Sequence, residues 1–207
     1  MSDIYKIFLM GPQGSGKGTQ SERLSGHLGI PAFGMGQLLR DEVVTGSDFG
    51  NKLKNIMKLG DLVSDEDAAH VLKLRLEKAD TKKGYILDGY PRNLAQYQAF
   101  NFDVPTHVLV IDIPRGESLK RLGGRLTCDH CGKVGSLNDG LKPGDEDSCG
   151  GVWYQREDDT PEAISHRLDI YEHDTAPVIE KYAPFVTHIE GVGSIDIVFH
   201  RILETLK

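Results

Sequence analysis

The chain has 207 residues, which is enough for one α/β domain with insertions and a sizeable hydrophobic core. Its formal net charge of −7 argues against a broad nucleic-acid-binding surface, so any phosphate chemistry must be local. No run approaches the roughly 20 apolar residues of a membrane span. The start, Met-Ser-Asp-Ile, lacks the features of a signal peptide. We therefore expect a cytoplasmic protein that binds neither nucleic acid nor a membrane.

The first predicted elements are a strand over the apolar residues 4–10 and a glycine-rich loop over residues 11–19, followed by a segment with helical spacing. Glycine backbones can approach an anion closely, and the start of a helix favours negative charge. Lys17 can reach the outer phosphates, and the Thr19 hydroxyl can face Mg²⁺. The alternative is a turn that merely links strand to helix. We interpret the loop as a nucleotide phosphate site that uses Mg²⁺.

Residues 34–63 contain glycines between short helical segments, which indicates an inserted arm rather than core. At Ser64 the sequence shows a helix N-cap with an acidic residue, Asp67, three positions later. The apolar positions that follow fit one buried helix face, so a helix is predicted to begin at this point.

Three further apolar runs predict strands at residues 85–87, 108–113 and, more weakly, 185–189. The helical patterns between them are typical of parallel strands joined by crossover helices. Ligands of such sheets lie at the carboxyl ends of strands. Asp88 would therefore lie near the glycine-rich loop and organise Mg²⁺, while Arg92 can bind a phosphate through two hydrogen bonds. The alternative is an Asp-Gly turn followed by an arginine in solvent.

Arginines recur around the predicted strand ends and the insert that follows. They are Arg92, Arg121, Arg125, Arg156 and Arg167. Any one of them could lie on a solvated helix face. As a group in an acidic chain, they indicate a site where a phosphoryl group is neutralised. Thr160 and Pro161 are a hydroxyl cap and a first-turn proline, which predict the start of the helix that carries Arg167.

All three cysteines lie in an insert over residues 126–155 that interrupts the α/β pattern. Cys128 and Cys131 form a C-x2-C turn, and Cys149 closes an E-x2-C turn that begins at Glu146. An odd, clustered set indicates a metal site in a reducing compartment rather than disulfides. We expect a structural Zn²⁺ bound by Cys128, Cys131, Glu146 and Cys149. Asp145, Asp147 and His130 are alternatives for the fourth ligand, and three free thiols are the alternative to a metal.

Several segments, in this order, resemble the adenylate kinases along essentially the whole chain. The matching segments are residues 11–19, 38–41, 87–92, 124–125, 154–159 and 166–168. The resemblance implies an α/β P-loop three-layer fold with a central parallel sheet, an inserted monophosphate-binding arm and a lid. We assign residues 1–33, 64–124 and 157–207 to the core, 34–63 to the arm and 125–156 to the lid. The resemblance also implies a monomer that converts Mg·ATP and AMP to two ADP.

The resemblance assigns roles to the residues at matching positions. ATP would bind to Gly14, Ser15, Gly16, Lys17, Gly18, Thr19 and Arg125, with Val192 and Gly193 beside its adenine. AMP would bind to Met35, Arg40, Asp61, Leu62, Val63, Gly89, Arg92, Gln96, Arg156 and Arg167, with Gln96 reading the base. The residues implied in catalysis are Lys17, Asp88, Arg92, Arg125, Arg156 and Arg167.

The chain departs from the family pattern at two places. Gly34-Met35-Gly36-Gln37 stands where the family usually has Ser-Thr-Gly-Asp, and loss of the threonine hydroxyl could loosen selection of the acceptor base. The metal-bearing lids commonly carry four cysteines, or three with an aspartate in the last position, whereas Glu146 stands in the third position here. The alternative functions are therefore a kinase for UMP or CMP, or a regulatory module that binds nucleotide without catalysis. A nucleic-acid-binding knuckle is disfavoured by the acidic residues of the insert.

Overall fold

The computed structural model describes residues 4–59, 61, 63–100 and 103–206. The strands in this part of the chain are β1 (Tyr5–Met10), β2 (Ala32–Gly34), β3 (Gly84–Asp88), β4 (His107–Asp112), β5 (Arg125–Cys128), β6 (Val134–Ser136), β7 (Trp153–Tyr154) and β8 (Val186–Glu190). The α-helices are α1 (Lys17–Leu28), α2 (Met35–Val44), α3 (Asp48–Lys58), α4 (Asp65–Leu76), α5 (Leu94–Ala99), α6 (Arg115–Gly123), α7 (Pro161–Ile170), α8 (Ala176–Lys181) and α9 (Ile195–Glu204). No helix among these residues combines the length and the apolar character needed to cross a membrane.

The central sheet has the strand order β2-β3-β1-β4-β8, and all of its strand pairs are parallel. β1 lies in the middle, with Ile7 opposite Ile86 on one side and His107 on the other. Successive side chains of a strand point to opposite faces of the sheet. Accordingly Phe8 packs in a hydrophobic cluster on one face and Ile7 in a cluster on the other. The P-loop α/β fold predicted from the sequence is confirmed, with helices covering both faces.

The two covering layers explain why the strand sequences are continuously apolar. On one face Leu39, Leu53 and Tyr182 pack against the sheet, and on the other Leu24 and Ile202 do so. Full burial of such a side chain stabilises the fold by about 1.5–3 kcal/mol. The layers thereby fix the carboxyl ends of β1, β3 and β4 at one edge of the sheet.

Helix starts follow the predicted cap residues. The Ser64 side chain accepts a hydrogen bond of 3.1 Å from the backbone N–H of Asp67 and begins α4. The Thr160 side chain accepts one of 3.2 Å from the N–H of Ala163 and begins α7, with Pro161 in its first turn. A cap of this kind contributes about 1 kcal/mol to helix stability. Both predicted helix starts are confirmed.

The insert forms a small sheet of its own, with antiparallel strands in the order β6-β5-β7. Its hydrophobic cluster is formed by Leu126, Cys128 and Trp153, with Leu141 packed against them. A Cβ atom at Gly135 would lie 2.6 Å from Leu141 Cδ1 and 3.1 Å from the Trp153 ring, so a larger residue there would require these side chains to move. A cluster of this size buries little apolar surface, so we expect a second element to stabilise the insert.

Candidate active site

The glycine-rich loop connects β1 to α1, and its shape depends on glycines with positive φ. Gly11 has φ of 131°, and a Cβ atom there would lie 2.3 Å from the carbonyl oxygen of Ile111. Gly16 has φ of 92° and directly precedes Lys17, the first residue of α1. The backbone N–H groups at this helix start have no side-chain cap. This loop, residues 11–19, therefore has the geometry that binds phosphate groups, and we call it the phosphate loop.

Lys17 lies inside the loop rather than in solvent. Its Nζ donates hydrogen bonds of 2.8 Å to the carbonyl oxygens of both Gly11 and Pro12. Burial lowers the pKa of Lys17 to about 8, which the charge of Asp88 opposes and that of Arg92 reinforces. A cation that has lost its water interacts strongly with an arriving anion. Lys17 is thus held where a phosphate would bind.

Asp88 ends β3 and faces the phosphate loop. A Cβ atom at Gly18 would lie 3.8 Å from Asp88 Oδ2, and one at Gly34 would lie 3.6 Å from it. The carboxylate therefore lies between the start of α1 and the end of β2. Burial raises the pKa of Asp88, while the charges of Lys17 and Arg92 lower it. Its oxygens are the hard ligands that Mg²⁺ and its waters prefer.

Two arginines, Arg92 and Arg40, lie near Asp88. Arg92 Nε donates a hydrogen bond of 2.8 Å to the carbonyl oxygen of Gly89, and its backbone N–H donates one of 2.7 Å to Gln96 Oε1. Arg40 Nη2 donates a hydrogen bond of 3.2 Å to Gln37 Oε1. Burial lowers the pKa of both arginine side chains. Neither guanidinium is paired with a carboxylate in the described contacts, so both can bind a phosphate.

Two further arginines are tied to the acidic pair that follows β7. Arg125 binds Asp159 through two hydrogen bonds, one of them 2.7 Å long. Arg167 donates to Asp158 at 2.8 Å and to Asp159 at 2.9 Å. Burial alone would raise the pKa of Asp159, but the charge and hydrogen bonds of Arg125 hold it below its usual value. The acids thereby hold both guanidinium groups in place.

Arg156 lies near both Arg40 and Arg125. Its Nε donates a hydrogen bond of 2.8 Å to Thr127 Oγ1 of β5. Burial, together with the neighbouring charges of Arg125 and Arg40, lowers the pKa of Arg156 to about 9. Crowding of like charges is unfavourable unless an anion binds among them, as a transferring phosphoryl group would.

One cavity of about 820 Å³ lies between the sheet edge, the arm and the insert, and it is bordered by Lys17, Asp88 and the five arginines described above. The predicted site residues that line it are Gly14, Ser15, Gly16, Lys17, Gly18, Thr19, Met35, Arg40, Asp61, Val63, Asp88, Arg92, Gln96, Arg125, Arg156, Arg167 and Gly193. Gly89 and Val192 are not among the lining residues, although the Gly89 carbonyl holds Arg92. Leu62, predicted beside the acceptor base, lies outside the described residues. The cavity is large enough for more than one phosphate-bearing group.

The arm and the insert contact each other across this cavity. A Cβ atom at Gly132, in the cysteine turn, would lie 3.8 Å from Gln37 Oε1 of α2. Lys58 at the end of α3 forms an ion pair of 3.9 Å with Glu157, which lies just after the insert. The arm and the insert therefore approach each other at one side of the cavity.

Comparison with known proteins agrees with this geometry. The sequence model of the adenylate kinase family matches residues 9–186. The adenylate kinase of Thermodesulfovibrio yellowstonii is 38% identical over 98% of this chain and 99% of its own length. Those of Syntrophobacter fumaroxidans and Methanothrix thermoacetophila are 40% and 39% identical over 97% of this chain, and 99% and 98% of their own length. The chain belongs to the adenylate kinase family.

Among the other residues that line the cavity, Arg121 was predicted only as one of the clustered arginines, without a role of its own, and Gln13 was not predicted as a site residue. Arg121 on α6 donates hydrogen bonds to the carbonyl oxygens of Gly14, at 3.4 Å, and Gly191, at 3.1 Å, and so joins the phosphate loop to the β8–α9 loop. Gln13 lines the cavity, and its buried Oε1 has no hydrogen-bond partner among the described residues. The cluster of arginines was the signal for Arg121, and only the position of Gln13 within the loop pointed to it.

The cysteine insert of this family member brings together a different fourth residue from the one predicted. The ligand atoms of Cys128, Cys131, Asp147 and Cys149 all lie within 4.8 Å of one another. Asp147 Oδ2 accepts from Cys131 Sγ at 3.6 Å. The prediction of Glu146 is therefore wrong for this structure. Glu146 is exposed in an extended bridge with Val152, and successive side chains of extended backbone point to opposite sides.

The chemistry of this cluster fits Zn²⁺. Thiolates and a carboxylate are ligands that zinc accepts in tetrahedral sites, and Cys128 Sγ lies 3.4 Å from Cys149 Sγ. The backbone N–H of Cys131 lowers the pKa of the Cys128 thiol, which favours the ligating thiolate form. A Cβ atom at Gly151 would lie 2.5 Å from Cys128 Sγ, so the close approach requires glycine.

Proposed function

We propose that this protein transfers a phosphoryl group reversibly from Mg·ATP to AMP and forms two ADP. The observation that favours AMP as the acceptor is the fixed orientation of the Gln96 side-chain amide. Its Oε1 accepts the backbone N–H of Arg92 at 2.7 Å, and because that N–H can only donate, the oxygen is assigned without ambiguity. Gln96 lines the cavity, so the amide N–H₂ is the group left to meet an acceptor base.

An amide donor distinguishes bases by their hydrogen-bonding edge. Adenine presents an unprotonated N1 and cytosine an unprotonated N3, and both can accept from Gln96. Guanine and uracil carry N–H groups at those positions, so a hydrogen-bond donor of the base would face the amide donor of Gln96. Met35, Leu39, Met57 and Val63 form the apolar surroundings in which a flat base can pack. AMP suits this site, and UMP and GMP do not.

The mechanism rests on alignment and charge neutralisation without a covalent intermediate. The phosphate loop and Lys17 would hold the donor phosphates, and Arg40 with Arg92 would hold the acceptor phosphate. Arg125, Arg156 and Arg167 would surround the group in transfer. Closure of the arm and insert keeps water from competing as acceptor.

Two metals accompany this proposal. Mg²⁺ bound with ATP would neutralise charge on the phosphates, and the Asp88 carboxylate and the Thr19 hydroxyl are the oxygens that this chain offers near it. Zn²⁺ bound by Cys128, Cys131, Asp147 and Cys149 would be structural, because all four ligand positions come from the protein. Neither proposal requires another protein, and we propose a monomer with nucleotides as its partners.

The test of acceptor choice is the rate of ADP formation from Mg·ATP with AMP, CMP, UMP or GMP. We expect kcat/KM for AMP to exceed that for UMP and GMP by about 10²-fold or more. With uracil or guanine in the site, the buried amide donor of Gln96 would have no acceptor to pair with. CMP is the second candidate, since it presents the same acceptor to Gln96.

A matched pair of variants sharpens this test. Gln96→Met removes the amide and is expected to lower kcat/KM for AMP by about tenfold. Gln98→Met changes an exposed glutamine of the same helix and should leave it unchanged. Equal rates with UMP and AMP in the unmodified protein would refute the proposed role of Gln96.

A further inference from the structure

The position of Arg40 on α2 requires an explanation. Arg40 lies at the sixth position of this helix, and its guanidinium points back toward the first turn, as long helical side chains do, so that a Cβ atom at Gly36 would lie 3.4 Å from Nη1. The first turn of a helix carries partial positive charge and therefore disfavours a cation. Gly34, the N-cap residue, provides no side-chain cap to offset it. The charges of Asp158 and Asp41 favour the cation, and a hydrogen-bond acceptor near the first turn orients it.

Gln37 provides that acceptor, and its amide has one possible orientation. Gln37 Oε1 accepts from Arg40 Nη2 at 3.2 Å, and Gln37 Nε2 donates to Asp41 Oδ1 at 2.7 Å. A guanidinium can only donate and a carboxylate can only accept, so both contacts assign the same oxygen and nitrogen. The three residues are spaced three and four positions apart, as neighbours on one helix surface are. Asp41 thus orients Gln37, which orients Arg40.

A neutral acceptor has a specific advantage at this position. A carboxylate at position 37 would form an ion pair with Arg40, and an arriving phosphate would have to displace it. The amide oxygen fixes the same guanidinium nitrogen but leaves the full positive charge for the phosphate. In the described contacts the Asp41 carboxylate is hydrogen-bonded to the Gln37 amide and not to the guanidinium, so Asp41, like Asp158, acts on Arg40 through its charge alone.

We propose that Gln37 is a positioning residue that holds the Arg40 guanidinium for the phosphate of the acceptor nucleotide without neutralising it. This inference rests on the proposed function, in which Arg40 binds that phosphate. Gln37 itself need not touch the substrate. It acts through Arg40, so its effect disappears when Arg40 is absent.

The experiment is a double-mutant cycle on KM for AMP and for ATP. Gln37→Ala is expected to raise KM for AMP about threefold to tenfold, the worth of one hydrogen bond, with KM for ATP and kcat nearly unchanged. Arg40→Ala is expected to raise KM for AMP further, and adding Gln37→Ala to it should have no additional effect. Gln37→Glu should raise KM for AMP in a way that weakens with added salt.

The control is Gln98→Ala, an exposed glutamine on α5, with melting temperatures recorded for every variant. If Gln37→Ala changes nothing while Arg40→Ala raises KM for AMP, the positioning role is wrong and the acceptor site stands. If the two substitutions have additive effects, Gln37 does not act through Arg40. If Arg40→Ala leaves KM for AMP unchanged, the assignment of the acceptor phosphate site itself fails.

Discussion

Replacing Lys17 by methionine is expected to lower kcat by about 10³-fold or more without unfolding the protein. The Nζ group is held in the phosphate loop by the carbonyl oxygens of Gly11 and Pro12. The Lys17 ammonium group interacts more strongly with a charged phosphate than with two carbonyl dipoles. Lys17 is therefore expected to follow the phosphoryl group in transfer. Methionine has a similar length and no charge, so it removes the interaction and keeps most of the packing.

The measurement is the steady-state rate of ADP formation, together with a thermal unfolding curve. Lys120→Met provides the control, because Lys120 is an exposed lysine of α6. The control should retain the activity of the unmodified protein. A Lys17→Met protein that keeps more than about a tenth of that activity would contradict the role assigned to Lys17.

Removing metal from the insert is expected to lower the melting temperature by about 6–12 °C. Metal present at about a hundred times its Kd stabilises the folded state by roughly 3 kcal/mol, and about 2–4 °C per kcal/mol applies to a protein of this size. The cluster joins the turn after β5 to the connection before β7, and the hydrophobic cluster that remains is formed mainly by Leu126 and Trp153. The structure of the insert therefore depends on the metal more than on burial.

Metal content and thermal unfolding, with and without a chelator, test this expectation. Asp147→Asn should lower the zinc content and the melting temperature, because an amide is a weaker ligand than a carboxylate. Glu146→Gln is the matched control in the adjacent position, where the side chain is exposed and outside the cluster. A protein that contains no metal, or whose unfolding is unaffected by chelator, would rule out the zinc site.

Strand prediction succeeded where burial on both faces imposes a continuous apolar run. The run at 108–113 corresponds to β4, His107–Asp112, and the weaker run at 185–189 corresponds to β8, Val186–Glu190. β2 was not predicted. Its three residues, Ala32–Gly34, are too short for a periodic signal, and only pairing with β3 makes them a strand. Tertiary pairing of this kind is not encoded locally.

The candidate site was predictable to the extent that it depends on strand ends. Asp88 and the glycine-rich loop come together because parallel strands place their carboxyl ends at one edge. The choice between Glu146 and Asp147 was not predictable, because spacing cannot tell which of two adjacent side chains faces the cysteines. The contact between Gln37 and the insert depends on how the arm closes. The boundaries of core, arm and lid stay predictions.

The most direct test of adenylate kinase activity is the fate of ADP supplied alone with Mg²⁺. An enzyme that carries adenine nucleotides in both the donor and the acceptor site converts two ADP to equal amounts of ATP and AMP. We predict that phosphorus NMR of this protein with ADP shows both products appearing together until equilibrium. ADP that stays intact, while Mg·ATP and a pyrimidine monophosphate react, would contradict the account and assign the protein a different acceptor.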